Sequence, residues 1–298
     1  MAIYATNDGT NNNTFYVNRA IFNDNTWGIS MNSVKNATVL FSEFNVAKNL
    51  ADAEECEGVD QKASGYGIDM TGCTGFAIEE NEFTPGSAGG TYTGIRVNKT
   101  EAADEIYKNY FNGLTYGNYA VGKNWDGNNT AKGLAYYCNE NTANWQDFYV
   151  DTIPGAPSGI QDPIGKVQLP AGNTFSPTAF MHINNKGNYW IGYYYYAPTA
   201  GDTNTAFYPN TDKIWKVTRE EVYQYENECL SHYGGGGSGG GTERSVVLNP
   251  GEMQEAEQEY FENLNSYNDV KALYDYLKDG GNTELTISGI ETAFPDQM

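Results

Sequence analysis

The side chains of this chain that could do chemistry are few and scattered. There are two histidines, His182 and His232, and four cysteines, Cys56, Cys73, Cys138 and Cys229. Neither histidine sits beside a nucleophile signature such as GxSxG, although triad partners that meet only in space leave no local trace. No phosphate-binding loop or dinucleotide fingerprint is present. The cysteines show no CxxC spacing, which argues against zinc or a redox dithiol. Acids are more plentiful, and Glu43, Glu79, Glu82, Asp69 and Glu80 are the ones whose spacing could bring them together. Calcium would need six to eight oxygens, several from carboxylates. The segments beginning at Asp8 and Asp126 start like calcium loops but lack a closing acid, so they read as turns. No catalytic residue, cofactor or metal ligand is assigned. Calcium is the one ion these acids could serve, with Glu43 and Glu82 as the binding candidates.

Whether the acids act together depends on the elements that hold them, and a repeat sets those elements. Gly28-Ile29-Ser-Met31 is followed by Val39 and then Phe44. Gly67-Ile68-Asp-Met70 leads to Ile78 and Phe83 at identical spacing, and Gly94-Ile95-Arg-Val97 leads to Ile106 and Phe111 with one residue more. Val17 to Phe22 keeps the closing interval, and Gly133-Leu-Ala-Tyr136 to Asn141 is a degenerate fifth copy. Asparagine recurs after the middle apolar position at Asn81, Asn109 and Asn139. A unit of about 22 to 27 residues built from short strands cannot bury its apolar face alone, so copies must stack. Leucine-rich repeats have a similar length, but their leucine grid is missing. The expected fold class is all-β, a right-handed parallel β-helix (a single-stranded solenoid) with three short strands per coil. Ile29, Ile68 and Ile95 would stack inside, as would Val39, Ile78 and Ile106, and Phe44, Phe83 and Phe111. The three asparagines would form a ladder at one corner, where asparagine tolerates a left-handed backbone. On the outer face Asp69 falls beside Ser30 and Arg96, and Glu80 beside Phe41 and Lys108. That is a charge-balanced ladder on a solvated face. Glu43 stacks on Glu82, but two carboxylates do not fill a calcium shell.

The totals agree with a β-rich chain: 24 Tyr and 13 Phe against 5 Trp, with 34 Gly. Tyr and Phe favour strands, and glycine supports frequent turns. A net charge of −21 repels nucleic acid and anionic membrane, so neither is an expected partner. No run approaches the roughly 18 apolar residues of a membrane span, and the N-terminus lacks the basic-then-apolar order of a signal peptide.

The repeat over roughly residues 10 to 145 resembles the pectate-lyase-like family of parallel β-helices. The segments GLAYYCNEN (133–141), AGNTFSP (171–177) and CLSHYGGG (229–236) resemble large secreted Bacteroidetes proteins that carry a β-helix ahead of a type 9 secretion sorting domain. The resemblance implies an exported, pectin lyase-like fold at the cell surface, with adhesion or polysaccharide binding as its use. Lyases of that family hold calcium in an acidic cluster on adjacent coils, which the charge-balanced pairs here do not reproduce. No sorting domain is visible.

Residues 1–145 are read as the coils and 146–233 as a β-rich cap or continuation, broken at its start by Pro154, Pro157, Pro163 and Pro170. Tyr193, Tyr194, Tyr195 and Tyr196 would put two rings on each face of a strand, and the outward pair could meet a sugar or a partner. Residues 234–242 read as a flexible Gly/Ser linker. Residues 243–298, with 12 acids and 3 bases, read as an acidic α-helical segment that opens at Asn249-Pro250. Cys138 in the last coil and Cys229 at the end of the cap would pair and pin the cap, leaving Cys56 to Cys73; four free thiols are the alternative. The expected role is a non-enzymatic structural or adhesive β-helix protein. Its partners would be other surface or secretion-system proteins, copies of itself, or polysaccharide. A polysaccharide-binding or polysaccharide-degrading β-helix protein, a lyase or hydrolase if an enzyme, is the alternative function.

Overall fold

A computed structural model describes residues 1–7, 15–47, 65–86, 90–126, 133–160, 163–166, 169–199, 202–204, 206–210, 217–222 (backbone only) and 226–233. The Gly/Ser linker, the acidic tail segment and Cys56 lie outside these residues. The chain divides into two compact units, Met1–Cys229 and Leu230–Met298, and the first carries every strand described here.

The described part is all-β, and its principal sheets are parallel. One sheet has seven strands: Ile3–Thr6, Trp27–Asn32, Gly65–Thr71, Tyr92–Asn98, Tyr116–Val121, Gln146–Asp151 and Met181–Asn185. A second has five, Tyr16–Asn18, Thr38–Leu40, Ala77–Glu79, Glu105–Tyr107 and Ala135–Tyr137. The third has Ile21–Asn25, Glu43–Val46, Glu82–Pro85, Tyr110–Asn112 and Glu140–Thr142. The chain visits the three in turn, so each circuit is a coil, counted here from one at the N-terminus. This arrangement is compatible with the parallel β-helix expected from the repeat.

The register is the one the repeat spacing predicts. Ile29 pairs with Ile68 and Ile68 with Ile95, Val39 with Ile78 and Ile78 with Ile106, and Phe44 with Phe83 and Phe83 with Phe111. All nine are buried. The weaker copies fit as well: Val17 lies against Val39, Phe22 against Phe44, Tyr136 against Ile106 and Asn141 against Phe111. Phe22, Phe44, Phe83 and Phe111 stack face to face, with centroids 4.6, 4.8 and 5.0 Å apart, one strand spacing per ring.

The glycine that opens each copy has a steric cause. A Cβ on Gly67 would stand 2.5 Å from the Phe83 ring and 2.7 Å from the carbonyl oxygen of Gly94. One on Gly94 would meet the Phe111 ring and the Gly117 carbonyl oxygen, both at 2.6 Å. Glycine therefore lets the backbone of the first sheet close onto the phenylalanine column.

Of the two readings of residues 146–233, cap or continuation, the strands fit continuation: Gln146–Asp151 and Met181–Asn185 extend the first sheet and Thr174 pairs with Glu140, so the prolines lengthen the turns of these coils without ending them. Two expectations need correcting. The left-handed residue at the ladder corner is not the asparagine but the one before it: Arg19, Phe41, Glu80, Lys108 and Cys138, with φ of 49–57°. The turn made there frees the following side chain to point along the stack. Finally, Cys138 and Cys229 are joined by a disulfide, but Cys73 is a free buried thiol and not the partner of Cys56. Its Sγ is turned inward toward the Thr71 carbonyl oxygen, in the apolar cluster with Val34 and Phe76.

Ile78 sits in the middle of its column and is 1% exposed. Ile78→Ala should destabilise the protein by about 2–5 kcal/mol, as packed methyl groups are removed from a site that cannot collapse. Urea denaturation measures this, and a loss below about 0.5 kcal/mol, typical of surface sites, would contradict the stacking.

Candidate functional site

The corner between the second and third sheets carries the asparagine ladder. In coils three, four and five, the N–H and the side-chain amide of Asn81 donate to Asn109 Oδ1, both at 3.0 Å. Asn109 donates in the same way to Asn139 Oδ1 at 3.0 and 3.4 Å. Each Nδ2 also reaches back one coil, from Asn109 to the Ile78 carbonyl and from Asn139 to the Ile106 carbonyl, both at 2.9 Å. The ladder runs one coil further than the repeat shows, because Asn139 N–H donates to Asn173 Oδ1 at 2.8 Å. Asn173 Nδ2 then donates to the Tyr193 hydroxyl at 3.3 Å. At the other end Ser42 substitutes for asparagine: its Oγ accepts from Ala20 N–H, and its own N–H donates to Asn81 Oδ1. These side chains satisfy buried backbone groups, and they are spent in doing so.

A second buried polar group lies where the phenylalanine column ends. In coil five Asn141 takes the phenylalanine position, and the residue beside Gly117 in coil six is Asp147. Without the ring, the space holds Asn141, Asn144, Asp147 and Ser176, all buried. Asp147 Oδ1 accepts from Ser176 Oγ at 2.6 Å and Asn144 Nδ2 at 3.1 Å, and Oδ2 accepts from Ser176 N–H at 2.9 Å. Burial pushes the Asp147 carboxyl up to about 6, opposed by the Ser176 and Asn144 donors.

His182 stands next to this group, so the fold brings together the residue types of a hydrolase triad from separate parts of the sequence. They are not wired as one. His182 Nε2 donates to the backbone oxygen of Ser176 at 2.9 Å, and Nδ1 accepts from Asn210 N–H at 2.6 Å. Both ring nitrogens are thus held by backbone, which fixes a neutral tautomer, and burial lowers the histidine pKa further. Ser176 Oγ faces the carboxylate rather than the imidazole, and Ser176 is fully buried. The group can hold a turn, but it cannot pass a proton from serine to histidine.

The remaining candidates are placed as follows. Glu43 and Glu82 are exposed and in register, but Ile21 and Tyr110 flank them on the adjacent coils. Glu79 is buried. Among the described residues, no group of three or more His, Cys, Asp or Glu gathers to hold a metal ion. Asp69 pairs with Arg96 at 3.0 Å and Glu80 with Lys108 at 2.8 Å, so each acid meets a base one coil on. Tyr193 and Tyr195 are buried and offer no surface, since the strand alternation turns them into the core. Tyr194 and Tyr196 face out half-buried, with the Phe207 ring edge-on to Tyr196 at 6.0 Å.

Sequence reasoning missed the aromatic residues that do reach the outer surface. On the first sheet the half-buried Tyr116 and Tyr119 form a cluster with the buried Tyr149, with centroids 4.9–5.6 Å apart, and the Tyr119 hydroxyl donates to Asp151. At the turn into coil six, Trp145 is 56% exposed and stacks on Phe180 at 5.0 Å. No helix among the described residues is long and apolar enough to cross a membrane. Comparison with known proteins returns no matching family model, no matching curated protein and no matching solved structure, so the functional reading rests on this geometry.

The raised Asp147 pKa sets a pH dependence. The folded form holds the proton more tightly than the unfolded chain, so this group favours folding most in acid, and the advantage is lost as pH rises from about 4 through about 6. The loss is roughly 3 kcal/mol. Asp69 and Asp104 shift the same way. Urea midpoints at pH 5 and pH 7 should therefore differ less in Asp147→Asn than in the wild type; an unchanged difference would contradict the assignment.

Proposed function

We propose that this chain is a right-handed parallel β-helix serving as a non-enzymatic structural or adhesive scaffold outside the cell or on its surface. The observation that carries this reading is the wiring of Ser176, Asp147 and His182: the buried serine hydroxyl is spent on the buried carboxylate, and both nitrogens of the half-buried imidazole are spent on backbone groups. The ion pairs Asp69–Arg96 and Glu80–Lys108 support it, since acids that neutralise bases on the next coil stabilise a stack rather than bind a cation. The Cys138–Cys229 disulfide supports an oxidising compartment and fits export by a type 9 route. On this reading the linker and acidic segment from 234 onward connect the scaffold to other surface or secretion-system proteins, or to further copies. The net charge of −21 disfavours nucleic acid.

A second reading, polysaccharide binding, is favoured by the exposed rings of Trp145 and Phe180, because aromatic plates suit sugar rings. Binding and turnover separate in one assay. Incubation with polygalacturonate and with neutral glucans, with and without calcium, should give neither unsaturated sugars nor new reducing ends. Sustained release of either would overturn the non-enzymatic reading.

The disulfide has its own check. Mass spectrometry of non-reduced peptides should find Cys138 linked to Cys229 and Cys73 unmodified. The bond closes a loop of 91 residues, worth roughly 4–5 kcal/mol in the chain-entropy model. Cys138→Ser should therefore lower the urea midpoint markedly. Four free thiols in native material would remove the support for an extracellular home.

A further inference from the structure

We infer that the turn carrying Trp145 is a docking strip for a neutral hexopyranose chain, a deepening that rests on the adhesive reading above. The turns from the third sheet back to the first lie in register. Thr115, Trp145 and Phe180 follow one another down the stack, tied by backbone bonds from Gln146 N–H to the Thr115 oxygen and from Phe180 N–H to the Trp145 oxygen. Phe180 lies parallel to the indole within 4° at 5.0 Å and holds it from the C-terminal side. Trp145 also borders a shallow groove of about 300 Å³ lined by Gly113, Leu114 and Thr115, with Tyr92 and Thr178 among the other lining residues. That volume lies at the small end of ligand sites, roughly 300–1,000 Å³.

The chemistry of the groove selects the occupant. A pyranose offers an apolar C–H face and a rim of hydroxyls. The groove offers one rigid aromatic plate, threonine hydroxyls and backbone groups, and its described lining contains no charged side chain. Thr115 Oγ is fixed by accepting from Tyr92 N–H at 3.1 Å. Anionic chains are disfavoured twice, by the lack of a cationic partner in the groove and by the net charge of −21. The site is built across successive coils, each about 4.8 Å from the next, so it can follow a polymer along the stack. It differs in place and in charge from the Glu43–Glu82 pair on the third sheet.

The test uses the full chain with soluble neutral β-glucan oligosaccharides, and with polygalacturonate as the anionic control. Binding should saturate and shift the tryptophan emission to the blue, as the exposed indole leaves water. Trp145→Ala should weaken binding about tenfold or more with an unchanged urea midpoint, and Phe180→Ala should weaken it less. Polygalacturonate should not compete. No saturable binding by any neutral glycan would overturn the inference, as would equal affinity in Trp145→Ala. Self-association of the wild type that Trp145→Ala abolishes would also overturn it, by assigning the strip to a second copy. Glycan turnover would sink the scaffold reading while leaving the docking strip intact, so the two failures are distinguishable.

Discussion

Every coil must cross from the second sheet to the third through a tight turn whose N–H is buried, and that N–H has no strand partner. An unpaired buried donor costs about 1–3 kcal/mol, and the cost recurs at every coil. The chain resolves it with one side chain per turn: Ser42 accepts the N–H of Ala20, Asn81 that of Ser42, and from Asn109 onward the asparagine oxygen takes both the N–H and the amide of the coil before. Its own amide reaches back to a core-lining carbonyl. Each asparagine thereby ties its coil to the next in the register in which the apolar columns stack. The left-handed residue ahead of each asparagine belongs to the same device, since it swings the next side chain onto the stack axis.

A second constraint is steric and couples two sheets. Phe44, Phe83 and Phe111 in the third sheet require Gly28, Gly67 and Gly94 in the first, because no Cβ fits between them. In coil five Asn141 replaces the phenylalanine while Gly117 remains, its Cβ position closed by the Asp147 carbonyl oxygen at 2.8 Å and Asn141 Oδ1 at 2.9 Å; the glycine gives way only one coil on, at Asp147. The buried carboxylate is then tolerable because Asn144 and Ser176 supply it with three donors, as a buried charge requires. The polar group that looks most like an active site is thus the local substitute for a ring.

This explains what could be read from the sequence and what could not. The columns of Ile68, Ile78 and Phe83 were legible because parallel pairing converts equal spacing directly into contact. The Asp69–Arg96 and Glu80–Lys108 pairs were legible for the same reason. Asn173 and Ser42 were not, since one follows a proline-broken stretch and the other is a different residue type in the same role. The meeting of Ser176, Asp147 and His182 left no local trace, because it depends on turns of unequal length. The exposure of Trp145 was hidden likewise: its neighbour Gln146 is buried, and nothing in the order Asn144-Trp145-Gln146 tells which side chain the turn throws outward. The buried pair in the tyrosine run was anticipated by alternation, but alternation alone could not tell which two.

The disulfide has a mechanical side. Cys138 occupies the left-handed position of coil five, directly before the ladder residue Asn139, and a Cβ on Gly172 would crowd both sulfurs. A pull on the chain beyond Cys229 therefore enters the stack at Cys138. The residues between the two cysteines, including the proline-rich turns and the tyrosine strand, form a loop outside the line of force. Load passes instead to the strand that ends just before Cys138, Ala135–Tyr137, which is hydrogen-bonded to Glu105–Tyr107 of coil four, so the last coils are bypassed.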